Sequence, residues 1–409
     1  MRLKDKTLGQ IALFLLLTCC IAFQSCYALL TVSGYTIIGY LLLVLALLSL
    51  LMVKPLNGGM LSKGCVAVGA VFLFGIMLST LINEGFSFSP DTLRLLAVVA
   101  ISLLIVAKVP FCTFISGFLT VLKALTLVAL FVWLLVNVFR VSMPLPEATN
   151  FRGLVYQIGY IFFLSSQYTD FGGLYDSLSI FWEPGIYSSF LLIGIALETS
   201  GVAELKKSDI ALFSVAVLST FSTAGIVLLP VAMSPLLFRK NGKFSAALFF
   251  ALLSLTLVIV INMQSILQFL ATVNYSLFGK LVQLDMLTTS TRIESPLINL
   301  NGWLLNPVIG NGLEGATKYY QLAMASSSAI DSMTSTSTYC LSAFGAFGAI
   351  PIVCWIAGVM RVRRVTIYQK VIFLTLIFIV LNKETHTATL FLYCLMFYLF
   401  NGQLLAAAK

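Results

Sequence analysis

Five side chains in this sequence have the chemistry to act on a substrate: Arg152, Arg292, Glu183, Glu384 and His386. A guanidinium keeps its charge at any working pH and binds phosphate oxygens bidentately, so two of them on one surface could clamp a pyrophosphate. The alternative for each is a partner among the nearby carboxylates Glu147, Asp170 and Glu294, or a lipid headgroup. His386 is the only histidine in the chain and stands beside Glu384. With an ordinary pKa near 6.5, an imidazole can take a proton from a hydroxyl at neutral pH. It can equally cap a helix pair. Glu183 and Glu384 are rivals for the same proton-accepting or orienting role.

Glu183 belongs to the stretch Phe181-Trp182-Glu183-Pro184-Gly185-Ile186-Tyr187, where a long polar segment gives way to an apolar one. A carboxylate at such a boundary is costly unless it has a partner or a task. The aromatic pair and the Pro-Gly turn also suit a plain interfacial anchor.

These residues must be positioned by membrane-spanning elements. Of the 409 residues, 60% are hydrophobic and only 10% charged, with a mean hydropathy of +1.03; soluble chains carry about 25% charged residues. The chain reads as an all-α polytopic membrane protein. Its net charge of +9 would suggest nucleic acid in a soluble protein, but in a membrane protein Lys and Arg mark the cytoplasmic loops, so no nucleic-acid partner is expected. The eight cysteines lie in or beside apolar segments with no CxxC spacing, which argues against a disulfide framework or a zinc site. No Asp-x-Asp pair is present, and neither a metal nor another cofactor is expected.

About 20 apolar residues cross the hydrocarbon core. Runs of that kind are predicted over 8–31, 34–53, 65–82, 92–107, 111–139, 186–197, 245–261, 339–360, 371–381 and 389–400. The run 111–139 carries Lys123 and is expected to begin as an interfacial helix. The run 210–238 would put Lys206 and Lys207 on the opposite side from Arg239, Lys240 and Lys243 if it crossed once. Broken at Ser219-Thr220-Phe221-Ser222-Thr223-Ala224-Gly225, it returns both clusters to one face, as a hairpin or a re-entrant pair. The total is about 12 spans with both termini cytoplasmic. Five regions follow: an N-terminal bundle (1–139), a first large external loop (140–184), central spans with the broken pair (185–261), a second large loop (262–337) and C-terminal spans (338–409). The first loop is rich in aromatics, among them Phe151, Tyr156, Tyr160, Phe163 and Tyr175, and is expected to be ordered. The second opens with an apolar stripe over 266–282 that suits a helix lying on the membrane.

The Phe181 to Tyr187 stretch, the Ser219 to Gly225 break, Arg292 followed by Asn306-Pro307-Val308-Ile309-Gly310-Asn311-Gly312, and Phe344-Gly345-Ala346-Phe347-Gly348 together resemble the O-antigen polymerase and ligase superfamily. The resemblance runs from about Arg152 to Phe400. It implies a GT-C-like, metal-independent glycosyltransferase of the bacterial inner membrane. Such an enzyme moves a glycan from a polyprenyl pyrophosphate donor to a sugar hydroxyl of a lipid-linked acceptor, with a chain-length regulator as a further partner. It also implies that Arg152 and Arg292 engage the pyrophosphate. The ligase branch carries a histidine before the span that follows the second loop. Here that segment reads Thr336-Ser337-Thr338-Tyr339, which favours the polymerase branch. A secondary transporter or lipid-glycan flippase is the competing expectation, since twelve spans and a broken helix pair suit one.

Overall fold

In the computed structural model the described residues are 15–19, 21, 24–32, 37–52, 61–150, 155–165, 175–239, 294–325, 334–362, 365–383 and 386–402. They are mostly helical. In chain order the helices are α1 (Ile37–Met52), α2 (Lys63–Glu84), α3 (Pro90–Lys108), α4 (Phe111–Asn137), α5 (Pro184–Thr199), α6 (Lys207–Ser219) and α7 (Thr223–Met233). Then come α8 over 294–305, α9 (Gly312–Ala325), α10 (Thr336–Phe344), α11 (Ile350–Arg361), α12 (Ile367–Lys383) and α13 (Leu390–Asn401). Four stretches are long and apolar enough to cross a membrane: α2, α3, α4, and α10 with α11 taken as one run over Thr336–Arg361. Phe74 on α2, Leu127 and Phe131 on α4, and Leu41, Val44 and Leu51 on the shorter apolar α1 stand out exposed. In water so much apolar surface would aggregate, whereas in lipid it costs nothing. The seven described cysteines are free.

α5 is the hub. Every residue from Gly185 to Thr199 is buried, and a helix apolar on all sides is stable only when others surround it. α6 and α7 flank it, α4 and α12 pack near its start, and a ring stack of Phe118 and Phe391 at 3.8 Å lies beside Phe190.

The bundle has two distinct ends. At one, Ser62 N donates to Asn401 Oδ1 (2.7 Å), Lys108 Nζ to Leu50 O (3.0 Å), Lys370 Nζ to Met360 O (2.8 Å) and Arg361 to Phe400 O (3.0 Å). At the other, the starts of α3, α5, α10 and α13 meet the ends of α2 and α12. The first may be called the basic end and the second the loop end, because the 138–183 segment leaves from it.

Three expectations are corrected or refined. The chain is not all-α: the 140–184 loop, expected to be ordered, contains a four-stranded antiparallel sheet in the order β1 (Glu147–Thr149), β2 (Val155–Ile158), β3 (Phe163–Ser165), β4 (Asp176–Ser179). The registers Ala148↔Tyr156, Gln157↔Leu164 and Ser165↔Asp176 pair short strands through long-range contacts that no periodicity announces. Second, α4 is one unbroken helix of 27 residues, about 40 Å at 1.5 Å per residue, so any part of it lying in the interface is continuous with the crossing. Its Lys123 forms an ion pair with Asp209 at the start of α6, which accounts for a charge in an apolar run. Third, the first apolar run does not stay helical to residue 31. The segment 24–32 turns away and bonds to the strand end, with Ala28 N to Ile180 O (2.8 Å) and Trp182 N to Cys26 O (3.1 Å).

The break predicted in 210–238 is present. α6 starts beside Glu198, whose Oε2 accepts from Lys206 N (3.1 Å), and ends at Ser219; α7 starts after Ser222 and returns until Ala232 O accepts from Thr199 Oγ1 (2.8 Å). The two arms therefore form a hairpin lying along α5, and Ser214 Oγ reaches Met233 Sδ across it (3.8 Å). The predicted span 245–261 and surface helix 266–282 lie outside the described residues.

Candidate functional site

Glu183 takes the N-cap position of α5, with Pro184 as the first helical residue, where a fixed φ and a missing N–H cost nothing. Its backbone carbonyl accepts from Ile186 N (3.1 Å) and Tyr187 N (3.2 Å), and its carboxylate sits where the helix dipole favours negative charge. The residues before it are held by the sheet. Tyr156 is fully buried, receives a hydrogen bond from Asn150 Nδ2 (2.6 Å) and donates its hydroxyl to Trp182 O. The sheet thus fixes the direction in which the chain enters α5.

Sequence reasoning placed Lys383 in a turn without giving it a task. The structure buries it to 5% exposure and aims Nζ at Gly185 O (3.0 Å), Ser188 Oγ (3.1 Å) and Ser222 Oγ (3.5 Å). Ser188 Oγ in turn bonds to Ser222 Oγ at 3.3 Å. One ammonium therefore ties the first turn of α5, the α6/α7 break and the end of α12. Gly225 makes room for this: a Cβ there would stand 2.7 Å from that of Ser188, too close without movement.

His386 follows three residues later, 2% exposed. Its backbone N–H donates to Thr336 Oγ1 (2.7 Å), Nδ1 lies 3.4 Å from Thr389 Oγ1, and its ring meets Phe190 edge-on at 6.4 Å. Burial, reinforced by the Lys383 charge, pushes the imidazole from its usual 6.5 down to about 3, because neither a closed site nor a neighbouring cation tolerates a second positive charge. His386 is neutral at working pH. Nε2 has no partner, and the ring lines a small cavity of about 30 Å³ with Thr336 and Trp355, room for one water. In the tautomer whose Nδ1 donates to Thr389 Oγ1, Nε2 offers a lone pair to an incoming hydroxyl.

The other two motif segments also meet. Ala346 N donates to Val308 O (3.0 Å) and Asn311 N to Ser342 O (3.0 Å), while Ser79 Oγ donates to Ala343 O (2.8 Å) and Asn83 Nδ2 to Gly310 O (3.0 Å). Gly310 has φ +81° and Gly345 φ +58°, and a Cβ on either would strike the other segment's backbone at 2.3 and 2.5 Å. Ser335 Oγ, donating to Asn382 Oδ1 (2.6 Å), links this pair of segments to the Lys383 turn.

Of the sequence candidates, then, the structure brings Glu183 and His386 to the loop end, on either side of the start of α5. Arg152, Arg292 and Glu384 lie outside the described residues. Arg152 falls between Asn150 and β2, and Arg292 two residues before α8. Sequence reasoning missed Lys383 and also Arg94, which sits near the start of α3 and bonds through Nη2 to Gln24 O (3.1 Å). No protein-family model and no curated protein matches the chain.

Proposed function

We propose that this chain is a polysaccharide repeat-unit polymerase of the bacterial inner membrane, GT-C-like, with about 12 spans and both termini cytoplasmic. A polyprenyl-pyrophosphate-linked glycan is the donor and a second lipid-linked glycan the acceptor. The observation that carries the proposal is the meeting of four separate sequence segments at one end of the bundle. The α5 entry joins the α6/α7 break through Lys383, the 306–312 turn joins 344–348, and His386 lies between the two pairs.

The acceptor hydroxyl oxygen attacks the anomeric carbon of the donor sugar. A new glycosidic C–O bond forms as the bond to the pyrophosphate oxygen breaks, polyprenyl pyrophosphate leaves with the electron pair, and the hydroxyl proton passes to a base. Pyrophosphate is a good leaving group once its developing charge is met, so the enzyme's task is charge stabilisation and orientation. Arg152 and Arg292 supply the charge. His386 Nε2 accepts the hydrogen bond of the acceptor hydroxyl, and Glu183 or Glu384 receives the proton; a neutral imidazole with so low a pKa orients better than it deprotonates.

Purified protein reconstituted with lipid-linked repeat units is expected to make longer glycans and release polyprenyl pyrophosphate. Transfer of the lipid across the bilayer without bond formation would identify a flippase instead. Arg152→Ala with Arg292→Ala should lower the rate about 100-fold or more; an unchanged rate in folded protein would remove the pyrophosphate clamp from the mechanism.

A further inference from the structure

A polar cavity of about 280 Å³ opens at the loop end, walled by Asp91, Arg94, Thr317, Tyr339, Thr387 and Thr389. Since a water takes up about 30 Å³ in the liquid, the space suits a ring-sized molecule and exceeds what one ion needs.

The walls are built, and part of their bonding capacity is unused. Gln24 is fully buried; with its amide oriented to donate to Ala388 O (2.8 Å), it accepts from Arg94 Nε (3.2 Å). Together with the Nη2 bond to Gln24 O, this fixes one edge of the guanidinium and leaves Nη1 uncommitted. Among the described residues no carboxylate is ion-paired with Arg94. Tyr339 and Thr317 spend their hydroxyls on each other (2.7 Å) and on Leu313 O (3.1 and 2.8 Å). Thr389 is spent on Ser25 (3.2 Å) and His386. Thr387 Oγ1 is buried with no partner, a state that costs about 1–3 kcal/mol when nothing fills it.

Charge selects the ligand. Among the described residues that line the cavity Asp91 and Arg94 cancel, so this lining favours neither a free phosphate nor a cation. A carboxylate that accepts, a guanidinium edge that donates and a hydroxyl that can do both are together the complement of an uncharged ring bearing several hydroxyls. The cavity is also one hydrogen bond from His386, through Thr389.

We propose that this cavity is a subsite for a neutral sugar ring of the acceptor glycan, held by Asp91, Arg94 and Thr387. The assignment of that ring to an acceptor rests on the polymerase reading; sugar binding itself does not. The test is saturation-transfer NMR on the full-length protein in nanodiscs, with the methyl glycosides of glucose, galactose, mannose and N-acetylglucosamine as probes and sodium pyrophosphate as competitor. At least one glycoside should bind, pyrophosphate should not displace it, and Thr387→Val should weaken it roughly tenfold with a melting temperature no lower than that of the wild type, since that hydroxyl has no partner to lose among the described residues. Asp91→Asn, at an exposed position, should weaken it as well.

Absence of glycoside binding, binding indifferent to both substitutions, or displacement by pyrophosphate would each overturn the subsite. Glycan synthesis is measured in parallel. Synthesis unaffected by Thr387→Val and Asp91→Asn leaves the polymerase and removes the subsite, whereas cavity-dependent binding without synthesis keeps the subsite and removes the polymerase.

Discussion

His386 is held neutral in a site that has no room for its proton, and this has a signed consequence for stability. The unfolded chain takes up a proton at about pH 6.5, and the folded chain only near 3. The folded pKa is depressed, so stability is complete above pH 6.5 and is lost as pH falls toward 3. The loss is about 1.4 kcal/mol per pH unit, or ~2 kcal/mol at pH 5. Thermal unfolding in detergent is therefore expected to shift down between pH 7 and 5 in the wild type and much less in His386→Gln; equal shifts would mean that the imidazole is not buried neutral. Lys383 makes a different prediction. Lys383→Met keeps the volume but removes the ammonium's bonds to Gly185 O and Ser188 Oγ, which keep only their contacts with each other, Ser189 and Ser222, and a hydrogen bond to a charged group is worth about 1.5–3 kcal/mol. The variant should lose at least that much stability and should lose glycan synthesis with it. The sequence could not have shown this role. A lysine closing an apolar run reads as topological punctuation, and only the packing of α5 against α12 turns it inward. Arg94 was hidden for the same reason, as a single tolerated charge near the start of a span. Arg152 and Arg292 stand out in the sequence because they fall in segments expected to be external, and both lie outside the described residues.

At the scale of elements, α5, α7 and α12 meet because Gly225 has no side chain. Gly225→Val is expected to push α7 away from Ser188, break the hydrogen bonds that Lys383 makes to α5 and the break, and cost about 1–3 kcal/mol from overpacking. Gly85→Ala, which meets no atom within 4 Å but sits at φ +70°, should cost only its backbone strain, about 1 kcal/mol. Paired melting curves in detergent separate the two effects, and a Gly225→Val protein as stable as wild type would show that α7 is not seated on α5. Hydropathy located α2, α3 and α4, because burying a polar backbone in lipid forces helices and the sequence must supply apolar runs to make them, whereas the α6/α7 break was found from the basic clusters on either side of it. The sheet was not legible. Glu147–Thr149 and Asp176–Ser179 are polar and at most four residues long, and their strand character comes from pairing and from the aromatic layer of Tyr27, Tyr156 and Phe163 beneath.

At the scale of the molecule, the two ends of the bundle differ in chemistry. Lys63, Lys108, Arg361 and Lys370 gather at one, and the sheet, His386 and the 280 Å³ cavity at the other. If the positive-inside tendency governs insertion, the basic end faces the cytoplasm and the candidate site opens on the opposite side, where lipid-linked glycans would be joined. The α6/α7 hairpin is what reconciles the charges of the middle of the chain with that orientation, since a single crossing would send Lys206 and Lys207 to the far side from the cluster that follows. Single cysteines placed in a background with the exposed Cys112 replaced by Ser settle it in intact cells. Lys207→Cys and Lys370→Cys should resist a membrane-impermeant maleimide, and Phe86→Cys, 92% exposed between α2 and α3, should react. Lys240→Cys should behave as Lys207→Cys does; if one labels and the other does not, the segment crosses only once, the span count becomes odd, and the site would share a compartment with one terminus.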